Sequence, residues 1–225
     1  MSDRDFFREV DEAVRHDRYR QLWDQYGLYA IGAAAVIVLV VAGHKGWTFL
    51  QEKQAQVAGA KFTQALSFED VPDAAKAREM LTSMAGEGPE GYRVLARFQL
   101  AAAEAKAGEL DKAVAAYDAL AKDSSVDTIL RGHAQLQAAA LRLDKANYAE
   151  MEERLKGLIE SNSAWRFSAR ELLGLSAYRL NDMTEAERQF SALLSDQGTP
   201  PNLRERADMM LALIVGTPQA SSPTN

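Results

Sequence analysis

The 225-residue chain contains no cysteine. That excludes disulfides, thiolate metal sites, cysteine nucleophiles and a cysteine-linked lipid anchor. Chain breakers are few, with 14 glycines and 6 prolines, too few for a turn-rich all-β fold. Histidine is scarce as well. His16 and His44 flank the apolar stretch described below, so they do not join His133 in one metal site. A basic surplus is missing: 26 Lys and Arg stand against 32 Asp and Glu, a formal net charge of −6. Dedicated nucleic-acid binders are ordinarily basic. The sequence has no HExxH, no GxSxG and no Walker-type glycine loop. Paired acids such as Glu152 and Glu153 sit in charged helical stretches and read as a solvated face. The expectation is therefore a non-enzyme without catalytic, cofactor or metal residues, with no small-molecule substrate and no nucleic-acid partner. Alanine is what the chain has in quantity, and alanine is the strongest helix former. Hydrophobic residues make up 47%, yet mean hydropathy is only −0.28. The two figures agree only if the apolar residues are unevenly spread.

They are concentrated near the N-terminus. Residues 25–43 carry no Asp, Glu, Lys, Arg or His. Nineteen helical residues at about 1.5 Å each reach about 28 Å, close to the hydrocarbon thickness of a bilayer. Trp23, Tyr26 and Tyr29 stand at one end and Trp47 and Phe49 at the other, as in the aromatic belts of spanning helices. A buried core helix and a cleaved signal peptide ending near Val40-Val41-Ala42 are the competing readings. Against cleavage, the stretch is preceded by a long polar segment with seven acids and five arginines, whereas a secretory n-region is short and positive. The pattern therefore predicts a tail over 1–24, an uncleaved membrane-spanning signal anchor over 25–49, a soluble domain over 50–214 and a disordered tail over 215–225. Arg8, Arg15, Arg18 and Arg20 on one side against Lys45, Lys53 and Lys61 on the other bias the N-terminus toward the cytoplasm. In the tail, Phe6, Phe7, Val10, Ala13 and Val14 fall at helical spacing and suit an interfacial helix or partner-binding segment, beside the alternative of a short solvated tail.

Residues 51–214 show no sustained period-2 alternation, so they read as all-α. Breakers at Val71-Pro72, 86–89, Gly108, 124–125, 161–163, 181–182 and 198–201 divide them into segments of helix length. Asn147, Asp182 and Asn202 each precede a glutamate by three positions, the signature of a capped helix start. Three inter-helix turns align, around 106–117, 144–155 and 180–190. They superimpose Leu110 on Tyr148 and Met183, Ala113 on Met151 and Ala186, and Tyr117 on Leu155 and Phe190. In the preceding helices Leu100-Ala101, Ala138-Ala139 and Leu173-Gly174 occupy large-then-small slots. The interval from Leu110 to Tyr148 is slightly longer than the one from Tyr148 to Met183. This resembles the tetratricopeptide repeat, a helix–turn–helix unit of about 34 residues, in a degenerate form. Met151 stands where alanine is usual and Ala138 where a larger residue is usual. Residues 51–69 and 74–86 suit an earlier, poorer pair, and 203–214 a terminal capping helix. The expected fold is thus a single N-terminal transmembrane helix followed by a degenerate tetratricopeptide-repeat-like α-solenoid.

In such a solenoid the first helix of each pair lines the groove. That places Leu95, Phe98, Ala102, His133, Leu136, Ala140, Glu171, Leu175 and Tyr178 in the expected protein-binding groove. They are mainly apolar and lack a Lys/Asn set for clamping a C-terminal carboxylate. Two occupants remain open: an amphipathic helix or apolar segment of another protein, or the chain's own helix at 51–69 or 203–214.

The segments Val10 to Trp23 and Gly46 to Ala55 flank the span, and an alanine-rich degenerate repeat domain follows. This order resembles the bacterial YfgM-like family of ancillary subunits of the SecYEG translocon, over about residues 8–214. The resemblance implies a single-pass inner-membrane protein with its repeat domain in the periplasm. It also implies partners in SecYEG and in a membrane-anchored periplasmic folding factor of the PpiD type, and a role in passing newly secreted chains to chaperones. The other reading of the same architecture is a scaffold for envelope assembly or division that acts by oligomerisation of the repeat domain.

Overall fold

A computed structural model describes residues 3–68 and 74–216, with side chains from Trp23 onward except Asp24, Ala30 and Ala34. Among the described residues there are nine helices and no strand. The chain divides into two compact units, residues 1–57 and 58–225.

The first unit is a stretch of α1, which runs unbroken from Asp3 to Ser67. No proline interrupts those residues, so nothing removes a backbone donor from the ladder. The sequence expectation placed an edge at 49/50, where the aromatic belt ends. The helix crosses that edge, because a change of polarity is not a break in helix propensity. Within 25–43 the described side chains are exposed all round, Leu28 at 81% and Leu39 at 71%. Gly27, packed on the Trp23 indole, is the exception. This helix is long and apolar enough to cross a membrane. The tail side chains, Phe6 to Val14, lie outside the described residues, as do 217–225 of the expected C-terminal tail.

The second unit begins with the end of α1 and continues through α2 (Ala74–Glu87), α3 (Glu90–Lys106), α4 (Leu110–Lys122), α5 (Thr128–Arg142), α6 (Tyr148–Glu160), α7 (Arg166–Arg179), α8 (Met183–Ser195) and α9 (Pro201–Gly216). From α2 onward each helix packs on the next, and α5, α7 and α9 also touch one another in series. That is the alternation of a helix-pair solenoid. The aligned repeat positions form its core. Ala113, Met151 and Ala186 are buried, as are Tyr117, Leu155 and Phe190. Met151 takes the place of an alanine without strain on the packing because it shares its cluster with Ala139 and Ala146, whose small side chains leave room. Gly174 serves the same end. A Cβ there would lie 3.0 Å from the Phe190 ring.

The first and third turns close alike. Gly108 (φ 80°) and Asn181 (φ 63°) adopt the left-handed conformation. The following N–H groups of Glu109 and Asp182 donate back to the carbonyls of Glu104 and Ala177, both at 2.9 Å, the Schellman closure. The middle turn is longer, 143–147 against 180–182, and α5 has 15 residues against 14 in α7. Those extra residues account for the longer first interval of the repeat. The Arg179 guanidinium in α7 donates to the Ala146 carbonyl and so ties down the longer turn.

Two of the three expected caps form. Asn147 accepts from the Glu150 N–H at 2.9 Å and Asp182 from the Glu185 N–H at 3.0 Å. Asn202 does not cap. Helix α9 starts at Pro201, whose fixed φ suits a first helical position, and the Pro200 carbonyl accepts from Leu203 and Arg204. Nor do the acids turn back to the cap residues. Glu150 instead accepts from Arg142 at 2.9 Å and from Arg154 at 3.3 Å, and Arg154 reaches Asp118 of α4 at 3.0 Å. Glu185 is held by Arg188 at 2.6–2.7 Å, by Gln189 at 2.7 Å and by the Tyr148 hydroxyl of α6, which donates to it. Glu150 thus ties α5 to α6 within its own pair, and Glu185 ties α8 to α6 of the preceding pair.

The environment of Glu185 gives a pH dependence. The Arg188 guanidinium, aided by Tyr148 and Gln189 against the cost of burial, holds its carboxyl at about 2. The folded value is below the ordinary 4.5, so the contribution is complete above about pH 4.5 and is lost as pH falls toward 2. Its upper bound is about 3 kcal/mol, reduced by solvent screening at the exposed Arg188. Unfolding midpoints measured from about pH 6 to about pH 2.5 should fall, and Glu185→Gln should flatten the fall.

Candidate functional site

The nine expected groove residues lie on α3, α5 and α7, and the structure treats the three helices differently. On α3 and α5, Leu95, Ala102 and Ala140 are exposed, while Phe98, His133 and Leu136 are half-buried. Phe98 and His133 touch each other, with ring centroids 5.5 Å apart in a stacked arrangement. Phe98 also meets Tyr117 of α4 at 5.8 Å. His133 meets Trp165, just before α7, at 4.9 Å. Four rings thus link α3, α4, α5 and the entry to α7, and Phe98 and His133 present only part of their surface outward. Leu136 packs against the cluster around Met151.

Trp165 is the member that the sequence reading did not single out. Its indole N–H donates to the Ile129 carbonyl at 2.8 Å, and its ring covers Gly132. A lone tryptophan shortly after the polar turn at 161–163 was the available signal. A Cβ on Gly132 would meet the Trp165 ring at 2.6 Å. Because that ring is pinned by its hydrogen bond and by His133, it has little freedom to yield. Gly132→Ala is therefore expected to destabilise the domain by about 1–2 kcal/mol, overpacking outweighing the gain in helix propensity. Thermal unfolding together with a shift in tryptophan emission checks this.

Burial pushes the His133 imidazole pKa below its usual range. Its Nδ1 is buried without a partner, and its Nε2 lies 3.4 Å from the Gln137 amide nitrogen. Among the described residues no three His, Asp or Glu side chains gather as metal ligands. His133 here is an aromatic spacer.

On α7 the slots face the chain's own terminal helix. Glu171 accepts two hydrogen bonds from Arg206 of α9, at 2.6 and 2.8 Å, and that pairing raises the Arg206 pKa. Leu175 and Tyr178 pack in the cluster that contains Phe190, Ile214, Met210 and Leu211. The outward surface that remains is formed by Leu95, Ala102 and Ala140, with the edges of Phe98 and His133. Ala102 also lines a cleft of about 330 Å³ between α2 and α3, floored by Ala77, Leu81, Leu100 and Ala103. This remaining surface is apolar and lies beside side chains engaged within the domain. It offers no nucleophile beside a base.

The chain matches the tetratricopeptide repeat-like domain family over residues 20–212. The matched region begins before the apolar stretch and ends within α9, so it takes in the membrane-length helix as well as the helix pairs. No curated protein and no solved structure matches the chain.

Proposed function

Because the chain belongs to the tetratricopeptide repeat-like domain family, whose repeats are protein-interaction modules, we propose that it is a non-enzymatic, membrane-anchored adaptor at the secretion machinery. The observation that carries the reading is the contrast between the units. Residues 25–43 bury almost none of their apolar surface in the protein, while the helix pairs bury a core of their own. A bilayer supplies the missing apolar surroundings of the first unit, and the second stays free to bind. The arginines before the span support a cytoplasmic N-terminus and a periplasmic repeat domain, with the protein in a bacterial inner membrane. The flanking segments that resemble the YfgM-like family suggest SecYEG and a PpiD-type folding factor as the partners. Newly secreted chains would pass from the first to the second beside the repeat domain.

Photoreactive residues at Leu95 and Ala140, which are exposed, and at Leu39 in the span test this reading. The expected adducts are translocon subunits from the span and a periplasmic folding factor from the repeat domain. If neither is found, the adaptor reading fails. An alkaline-phosphatase fusion after Asn225 is expected to be active, and an inactive but stable fusion would put the domain in the cytoplasm. A homo-oligomer that buries Leu95 and Ala140 would support the envelope-scaffold reading instead.

A further inference from the structure

We propose that the cleft between α2 and α3 is a docking site for an acidic segment of a partner protein. The cleft takes one bulky apolar side chain of that segment, and Arg78 at its mouth takes an Asp or Glu beside it. The space arises from the repeat. Ala77 and Leu81 of α2, at i and i+4, are both buried. They repeat the small-then-large pattern of Ala113 with Tyr117 and Ala186 with Phe190. In that register Ala74 falls on the slot of Leu110, Tyr148 and Met183, and Ala103 of α3 on the slot of Leu141 in α5. Tyr148, Met183 and Leu141 pack against buried clusters. Alanine at both positions leaves the corresponding space between α2 and α3 open.

The cleft measures about 330 Å³. An aliphatic cavity of about 150 Å³ holds a benzene ring, so there is room for one phenylalanine-sized group and part of the chain that carries it. Leu81 and Leu100 give it an apolar floor. At the rim, Ala74 and Ala102 are exposed and carry only a methyl group, which lets a backbone come close. A free small molecule is ordinarily fixed by several convergent polar groups. The side chains lining this cleft are alanines, two leucines and two cations, so an apolar group has to be positioned by its own chain. Ala102 also belongs to the outward face of α3, onto which such a segment can continue.

Charge selects what stands beside that group. Arg78 is exposed at the mouth, and its guanidinium makes no hydrogen bond or ion pair among the described residues. Glu109, whose carboxyl the Arg78 charge reaches through space, is already bonded to Lys112 at 3.0 Å. Lys106 lines the same mouth but has an interaction of its own, so Arg78 is the cation on which the site depends. Among the described residues no carboxylate lines the cleft. A segment whose apolar group is flanked by Asp or Glu is therefore favoured, and one flanked by Lys or Arg is repelled. The site rests on the repeat domain being a protein-binding module, not on the translocon or a folding factor as the partner.

The test uses the full chain in zwitterionic lipid nanodiscs and a short fluorescein-labelled peptide, with one phenylalanine flanked by aspartates and an amidated C-terminus. Fluorescence anisotropy should show saturable binding below about 1 mM peptide. Ala74→Leu, which puts back the residue of the next repeat, should weaken it at least about fivefold with the helical signal unchanged. Ala103→Leu, which does the same from α3, should act alike. Arg78→Gln should weaken binding and flatten its salt dependence. Leu95→Asn should leave it unchanged, so failure here is told apart from failure of the adaptor reading, which is probed from Leu95 and Ala140. Four results would overturn the inference. The first is no saturable binding, and the second is equal binding of a peptide with lysine for aspartate or alanine for phenylalanine. The third is binding that neither Ala74→Leu nor Ala103→Leu changes. The fourth is binding that appears only after Glu69→Gln, Asp70→Asn and Asp73→Asn, which would mean that the chain's own acidic segment holds the cleft.

Discussion

Replacing Phe190 with alanine is expected to cost the repeat domain about 3–5 kcal/mol. The side chain is fully buried. It sits where the second helix of the third pair meets the first, with Gly174 directly under its ring. It also belongs to the cluster that joins α7, α8 and α9 through Ala177, Leu203, Ala207 and Ile214. Since a domain of this size is held by about 5–15 kcal/mol in all, the loss is a large share of its stability. In a solenoid that loss falls mainly on the pair concerned and its neighbours. Chemical unfolding of the full chain in detergent should shift to lower denaturant, and limited proteolysis should cut first within α7–α9. Leu180→Ala, at an exposed position, is the matching control and should change stability by less than about 0.5 kcal/mol. Gly174 adds a sharper check. With Phe190 in place, a Cβ at 174 crowds the ring at 3.0 Å. With Phe190→Ala the ring contact is relieved, leaving the Gln189 Cβ at 3.2 Å, and alanine recovers part of its helix advantage of about 1 kcal/mol over glycine. Gly174→Ala should therefore partly rescue Phe190→Ala, the non-additivity expected of residues in contact. A loss below about 1 kcal/mol for Phe190→Ala would mean that the ring does not occupy the core.

The same contact shows why much of the fold could be read from the sequence. A small residue in one helix and a bulky one in the next form a local rule repeated at near-constant spacing. Gly174 with Phe190 and Ala139 with Met151 each left a mark in the amino-acid order. Turn chemistry was legible for a similar reason. Gly108 and Asn181 stand where the backbone must turn left-handed, and few residues tolerate that. Side-chain partners across the solenoid were not legible. Helical periodicity places Phe98 and His133 on one face of their helices. It does not say that the two rings stack on each other and on Trp165, because that depends on how far apart α3, α5 and the α7 entry lie. For the same reason Glu150 and Glu185 read as capping acids, whereas Arg142 of α5 and Tyr148 of α6 engage them across helices. The expected groove is likewise divided between an open part at Leu95, Ala102 and Ala140 and a part covered by α9. A face deduced helix by helix carries no information about which neighbour lies over it. Helix ends moved by similar logic. Val215 and Gly216, expected in a tail, belong to α9, because a gain in local polarity just beyond them does not unwind a packed helix early.

If the proposed anchor spans a bilayer, two carboxylates placed at the centre of the apolar stretch, Val36→Asp with Val40→Asp, are expected to release the protein from it. Residues 25–43 contain no charged side chain, and the two valines are 59% and 65% exposed, so neither aspartate gains a partner from the protein. Each aspartate near the centre of a span costs about 2.5–3.5 kcal/mol of insertion free energy, so the pair costs about 5–7 kcal/mol. The stretch draws its own insertion free energy mainly from Leu28, Ile31, Val36, Ile37, Val38, Leu39, Val40 and Val41. At a few tenths of a kcal/mol each, these gains fall short of that cost. After alkaline carbonate extraction the unaltered chain should remain in the pellet, and the variant should appear in the supernatant or fail to accumulate. The substitutions lie outside the unit that begins at residue 58, so the helical signal and unfolding midpoint of the repeat domain should stay as they were in any variant recovered. This separates loss of anchoring from loss of folding. Val36→Leu with Val40→Leu, which keeps the stretch apolar, should stay in the pellet. If the aspartate variant remains as firmly bound as the parent, a bilayer is not what covers residues 25–43, and another protein chain must supply the apolar surroundings that this helix does not find within its own.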